Sequence, residues 1–257
     1  MMTVRQLFEL HDRVALITGG SRGLGLQMAL ALGEMGAKIA ISARKAGELA
    51  DASAKLTALG IDTFTVVNDL SQPEQALPLA ETVASHFGKI DILINNAGAT
   101  WGAPAEQHPL AAWNKVMTLN ATSVFSLCQA VANRCFIPQR SGSIIIMAST
   151  AALRVGGGMK AVAYSASKAA ALHLTRALAV EWGIYNVRVN AICPGFFPTK
   201  MTTALLKDIE ASVIERTPLG RLGNDTDLMG AAVYLASDAS RHVTGQYIAV
   251  DGGATSI

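Results

Sequence analysis

The chain has 257 residues, 51% hydrophobic and 16% charged, which is core material for a large folded body and excludes a disordered segment. A formal charge of +2, with no basic block or stripe, argues against a nucleic-acid or anionic-membrane partner. Cys128, Cys135 and Cys193 and the histidines show no ligand spacing, so no metal site is expected, and the cysteines read as small buried hydrophobes that fit a reducing compartment.

The opening residues MMTVRQLFEL have no long apolar region or cleavage-like site, and a cytoplasmic location is expected. Val14 to Ile17 is an apolar run of strand length that breaks at once into Gly19, Gly20, Gly23 and Gly25, and an amphipathic stretch continues from Leu24 to about Met35. The second unit is a strand from Lys38 to Ala43 and a helix from Lys45 to about Leu59. A third strand, Asp62 to Val67, leads through Asn68, Asp69 and Leu70 to a helix from Pro73 to Phe87, with Gly88 as its stop. The fourth strand, Asp91 to Ile94, ends in Asn95-Asn96-Ala97-Gly98.

After a loop, one long helix with an irregularity is expected from about Ala111 to Arg134. It contains a charge-free window, Val116 to Asn133, whose Asn120, Gln129 and hydroxyls mark a buried helix and not a membrane span. The strand Ser143 to Met147 runs into Ala148, Ser149 and Thr150, and Gly156-Gly157-Gly158 marks a bend. An alanine-rich helix from Ala163 to Gly183 precedes the strand Arg188 to Ile192, which Cys193-Pro194-Gly195 ends. Residues 196–223, with a short helical run from Met201 to about Glu215, read as a lid or substrate loop. A helix from Asp227 to Ala236 and a strand from Gln246 to Val250 complete seven strands. Apolar strands alternating with helices predict an α/β chain: a single-domain, Rossmann-type, doubly wound parallel sheet over residues 1–257.

In such a sheet, ligands bind beyond the carboxyl ends of the strands, and each unusual cluster here follows a strand. The glycine turn, opening a helix, suits a pyrophosphate. Arg44 at the end of the second strand, where a diol-binding acid would otherwise stand, suits a 2′-phosphate; Arg22 adds a second guanidinium. The plainer reading of Arg44 and Lys45 is a solvated helix start. Asp69 is placed either to accept from an adenine amino group or to cap the next helix. Tyr164 and Lys168 share one helix face, an ammonium near a phenol lowers the phenol's pKa, and the Ser149 hydroxyl is placed to reach the same substrate oxygen.

These motifs, Thr18-Gly19-xxx-Gly23-x-Gly25, Asn95-Asn96-Ala97-Gly98, Asn120, Ser149, Tyr164-xxx-Lys168 and Pro194-Gly195 with Thr199, resemble the short-chain dehydrogenase/reductase family over nearly the whole chain. The resemblance implies hydride transfer between a nicotinamide and a ketone or secondary alcohol. Tyr164 would be the acid/base, Lys168 would lower its pKa and hold the ribose, Ser149 would position the carbonyl, and Asn120 would hold a relay water. Gly19, Ser21, Arg22, Gly23, Leu24 and Gly25 would take the pyrophosphate. Arg44 would take the 2′-phosphate, with Asp69 and Leu70 beside adenine. Asn96, Ala97 and Gly98 would pass the adenosine side, and Pro194, Gly195, Phe197 and Thr199 would lie against the nicotinamide. The cofactor expected is NADP(H), with NAD(H) as the alternative, and the assembly expected is a homotetramer.

Within the family, the chain looks most like 3-oxoacyl thioester reductases, with gluconate 5-dehydrogenase-like sugar-acid or polyol dehydrogenases as the alternative. A non-catalytic dinucleotide-binding scaffold is the reading from another class. The Ser149-to-Tyr164 interval is slightly longer than is usual in the acyl-carrier-protein reductases, and the extra length at Gly156 to Lys160 leaves an acyl-carrier protein as a partner without support.

Overall fold

Hydrophobic runs with no polar face must be buried on both sides, and the central strands are. Every residue of β1 (Val14–Thr18) and β4 (Ile92–Asn95) is buried, as are all but the two end residues of β2 (Lys38–Ala43) and all but the first of β5 (Gly142–Met147). β6 (Val187–Pro194) is nearly as enclosed, whereas β3 (Thr63–Val67) and β7 (Tyr247–Val250) are half-exposed edges. The computed structural model describes residues 2–155 and 160–257, so the bend expected at Gly156-Gly157-Gly158 lies outside the described residues.

The seven strands among the described residues are all parallel, in the order β3-β2-β1-β4-β5-β6-β7. The chain runs outward from β1 to β3 and then returns to place β4 on the other side of β1. That reversal opens a crevice beyond the carboxyl ends of β1 and β4.

Helices cover both faces. α2 (Gly23–Glu34), α3 (Ala46–Ala58) and α10 (Met229–Ala236) pack on one; α4 (Ala76–Phe87), α6 (Ser123–Val131) and α8 (Val162–Trp182) pack on the other. The alternation of β5 shows how the sheet divides its core: Ile144 and Ile146 join Phe136, Leu127 and Val83, while Ile145 and Met147 join Met28, Leu32 and Leu56. Gly88, at φ +81°, ends α4 in the left-handed conformation, as its position predicts.

The long middle helix is interrupted twice. α5 (Leu110–Met117) passes through a π turn at Thr118–Thr122 into α6, then through a second at Ala132–Phe136 into α7 (Ile137–Gln139). The expected irregularity is therefore two π turns, and the helix runs beyond Arg134. α9 (Thr203–Glu215) lies within the segment after β6. α1 (Val4–Phe8) was not expected, yet its signal is present: Thr3 and Gln6 form a reciprocal capping box. Among the described residues no helix is long and apolar enough to cross a membrane.

Candidate active site

The crevice is built first from the grip of β4 on the glycine turn. The Thr18 hydroxyl accepts from the N–H groups of Asn96 and Ala97, both at 3.0 Å. The Asn96 side-chain amide donates to the carbonyls of Thr18 and Gly19 at 2.9 and 3.2 Å. Gly19 and Gly23 stand at φ +63° and +52°, where a side chain would be strained. Gly25 is required by space: a Cβ there would collide with the Gly19 carbonyl and stand 2.6 Å from Asn96 Nδ2.

α2 starts at Gly23 with no side-chain cap from Arg22, so its first N–H groups remain available. A Cβ on Gly23 would meet only Thr199, at 3.6 Å, which puts the segment after β6 across the turn. An uncapped, side-chain-free helix start with a favourable dipole fits a dinucleotide pyrophosphate. Gly19 through Gly25, Asn96 to Gly98, Pro194, Gly195 and Thr199 thus share one edge of the sheet. Phe197 differs in detail: its ring is buried against Gly223 and its carbonyl accepts from the Thr202 hydroxyl at 2.6 Å. Leu70 is buried in the core, and its carbonyl accepts from Ser123.

At the end of β2, Arg44 is exposed and is in no ion pair among the described residues. Arg22 does not stand free beside it, as the sequence suggested. Its guanidinium is 2.6 Å from Glu48, which also draws Lys45 at 3.4 Å and Lys200 at 3.7 Å. Asp69 closes a turn by accepting from the Ser71 N–H at 3.0 Å. Burial works to raise the Asp69 pKa, but the Ser71 hydrogen bonds and the Arg44 charge hold it below the usual carboxylate range.

The catalytic candidates converge on the end of β5. Ser149 follows the strand and accepts from the Ala151 N–H at 3.1 Å, which leaves its own proton to donate. Lys168, buried on α8, lies with Nζ 5.7 Å from the centre of the Tyr164 ring and donates to the Met147 carbonyl at 2.6 Å. Asn120 sits in the first π turn. Its Oδ1 accepts from Ala99 N, and its Nδ2 donates to Ala99 O and Ser167 Oγ, at 2.8, 2.8 and 2.9 Å. Ser167 in turn donates to the Tyr164 carbonyl at 2.8 Å, so Asn120 ties the loop after β4 to the helix that carries Tyr164 and Lys168.

The electrostatics depart from the expectation that Lys168 lowers the Tyr164 pKa. Burial pushes Tyr164 above its ordinary 10.0, and the Ser149 hydroxyl pulls only partly the other way. Burial also brings Lys168 down to about 8, against which the nearby Cys193 works weakly. Between about pH 8 and 10.5 the folded protein therefore binds fewer protons at Lys168 than the unfolded chain does. The burial penalty is fully present below pH 8 and is relieved as pH rises through that window. Relative to Lys168→Met, the wild-type protein should gain stability across it. Denaturant unfolding of both proteins at about pH 7.5 and 9.5 checks this, and a difference that stays constant with pH would count against it.

Beside Tyr164 and Ser149 opens a cleft of about 1060 Å³. Its two side-chain carboxylates among the described residues are internally satisfied: Asp251 accepts from Gly253 N, Thr255 N and the Thr255 hydroxyl, and Asp227 is paired with Arg221. Arg154 donates to the Ala254 and Ile257 carbonyls. Arg216, at the end of α9, lines the cleft and pairs with no carboxylate among the described residues.

A family model described as enoyl-(acyl carrier protein) reductase matches residues 19–255. Gluconate 5-dehydrogenase of Gluconobacter oxydans (strain 621H) is 38% identical over 99% of each chain. The chain belongs to the short-chain dehydrogenase/reductase family. It is also similar to the Pseudomonas aeruginosa 3-oxoacyl-[acyl-carrier-protein] reductase of rhamnolipid biosynthesis, 39% identical over 96% of this chain and 97% of that one. The crystal structure of a gluconate 5-dehydrogenase from Burkholderia cenocepacia J2315 in complex with NADP and tartrate superposes with a TM-score of 0.94, at 35% identity over 99% of this chain and all of the other. As a short-chain dehydrogenase/reductase, the protein acts on CH–OH or C=O groups.

Three features of this family member were not read from its sequence. Ser167, beside Lys168, could have been suspected from its adjacency. The Glu48 cluster could not, because Arg22, Glu48 and Lys200 are brought together by separate segments. The sequence places Cys193 among apolar neighbours, but does not show it beside Lys168, with a thiol that burial pushes up to about 11.

Proposed function

We propose that the protein is an NADP(H)-dependent oxidoreductase that interconverts a ketone and a secondary alcohol on a carboxylated, polyhydroxylated substrate of the sugar-acid type. The observation that carries the substrate class is Arg216: a cation lining the cleft of Tyr164 and Ser149, with no acidic partner among the described residues. A substrate carboxylate is the matching anion, and Arg suits its planar fork. The gluconate 5-dehydrogenase relatives, one of them bound to NADP and tartrate, support this reading. Arg44 and the glycine cradle support the phosphorylated cofactor.

When bound, the cofactor supplies or accepts the hydride at its nicotinamide. In reduction, the Tyr164 hydroxyl gives its proton to the substrate oxygen as the carbonyl carbon is reduced, and Ser149 donates a hydrogen bond to the same oxygen. Stabilising charge that develops only in the transition state accelerates the step. Burial raises the Tyr164 pKa from its ordinary value, which favours the protonated phenol that reduction needs. Lys168 donates one proton to the Met147 carbonyl, and its remaining protons would be available to hold the ribose. Both Asn120 side-chain donors are spent on Ala99 and Ser167, so a relay water there would have to donate to an Asn120 oxygen.

Arg216→Ala is expected to raise KM for a keto sugar acid about tenfold or more while leaving a neutral ketone substrate nearly unaffected. Equal losses on both substrates would remove the carboxylate assignment. A 3-oxoacyl thioester is the second reading, favoured by the apolar wall that Phe196, Met201, Ile209, Val213 and Leu219 present to the same cleft. Under either reading residues 196–223 are the substrate loop. We further propose a homotetramer, supported by exposed apolar side chains at Leu110 and Phe125 on the middle helix and Val162 and Val180 on α8; a monomeric mass in light scattering would refute it.

A further inference from the structure

We propose that Glu48 is an internal counter-anion at the adenosine 2′-phosphate subsite, competing with that phosphate for Arg22 and Lys200 and so setting how strongly the protein prefers NADPH over NADH. The proposal rests on the NADP(H) reading above. Three cations from three separate segments converge on one oxygen, Glu48 Oε1: Arg22 from the glycine turn at 2.6 Å, Lys45 from the start of α3 at 3.4 Å, and Lys200 from the segment after β6 at 3.7 Å. The Glu48 side chain is 27% exposed, whereas those of Arg22, Lys45 and Lys200 are 49%, 65% and 67% exposed. The carboxylate is thus the more fixed member, and the cations are the solvent-facing ends of long, flexible stems.

The cluster stands at the carboxyl edge of the sheet, between the glycine turn and the end of β2 where Arg44 lies. A phosphate there would offer three oxygens to the same cations to which Glu48 offers one. It would take over Arg22 and Lys200 instead of adding to the pairs already made, and the displaced carboxylate would remain beside it as a like charge. Arg44, in no ion pair among the described residues, supplies the attraction that Glu48 does not neutralise. Lys200 also ties this point to Thr199, whose methyl faces Gly23, so the cations that Glu48 gathers belong to both walls of the cofactor crevice.

The test is a fluorescence titration of NADPH and of NADH into the wild-type protein and the Glu48→Gln, Lys200→Ala and Arg44→Ala variants, at low and high salt. Glu48→Gln is expected to tighten NADPH about three- to tenfold and to leave NADH within about twofold. Lys200→Ala should act in the opposite direction on NADPH alone, and both effects should shrink as salt screens these exposed charges. A purely structural role would move NADPH and NADH together and in the same direction in both variants. Glu48→Gln that leaves the NADPH-to-NADH ratio unchanged or lowers it, in a wild-type background that prefers NADPH, overturns the proposal. Wild-type protein that binds NADH as tightly as NADPH, with no change of ratio in Arg44→Ala, instead overturns the cofactor reading and this proposal with it.

Discussion

Tyr164→Phe is expected to lower kcat by about 10²- to 10⁴-fold, or roughly 3–5 kcal/mol of transition-state stabilisation, while NADPH affinity changes little. The substitution removes one oxygen and keeps the ring that packs beside Lys168. What is lost is the proton donor to the substrate oxygen; the Ser149 hydroxyl remains but can only hydrogen-bond. The Phe variant keeps the ring and loses only the hydroxyl, so it should fold about as well as the wild type. Steady-state kinetics together with a cofactor titration separate the two readouts. A variant that keeps more than about a tenth of the wild-type kcat would take the acid/base role away from Tyr164.

The second large effect belongs to Gly25. An alanine there would place its methyl against the Gly19 carbonyl and 2.6 Å from Asn96 Nδ2, and the first of these neighbours is backbone that cannot rotate away. Relief requires the glycine turn to move off the end of β4, breaking the Asn96 bonds to Thr18 and Gly19. Overpacking of this kind costs about 1–3 kcal/mol of stability. Because it displaces the N–H groups that would hold the pyrophosphate, cofactor affinity should fall roughly a hundredfold. Thermal unfolding and NADPH titration of Gly25→Ala read the two effects separately. Wild-type affinity in a folded variant would mean that the turn is not the pyrophosphate cradle.

The parts of this molecule that were legible in the sequence are those that local chemistry dictates. Strands such as VALIT and SIIIM have no polar face, so burial on both sides and a parallel sheet follow directly. Glycines that must adopt positive φ or admit a close neighbour stand out in the same way, and so does a Tyr–Lys pair one helical turn apart. What was not legible depends on contacts between distant segments. The sequence presents Arg22 as a second phosphate ligand, because Glu48 lies on a different element and Lys200 arrives only when the segment after β6 folds back over the turn. Asn120 reads as a packing or relay residue until its three bonds to Ala99 and Ser167 are seen. The direction of the Tyr164 shift was also hidden: a lysine nearby in sequence says nothing about how far burial outweighs the Ser149 hydrogen bond, nor that the Lys168 ammonium is drawn onto the Met147 carbonyl.

The substrate class was the least legible feature. The wall opposite Tyr164 is assembled from the ends of β5, β6 and β7 together with α9, so its balance of charge and apolar surface exists only in the fold. The most direct measurement is the rate of NADPH consumption with a matched set of carbonyl substrates: a keto sugar acid, the neutral keto sugar of the same chain length, and a 3-oxoacyl thioester. The acid is expected to be turned over with the highest kcat/KM, at least about tenfold above the neutral sugar, and Tyr164→Phe is expected to lower that turnover at least about a hundredfold. Turnover of the thioester with the acid left untouched, or a neutral sugar reduced as well as the acid, would contradict it.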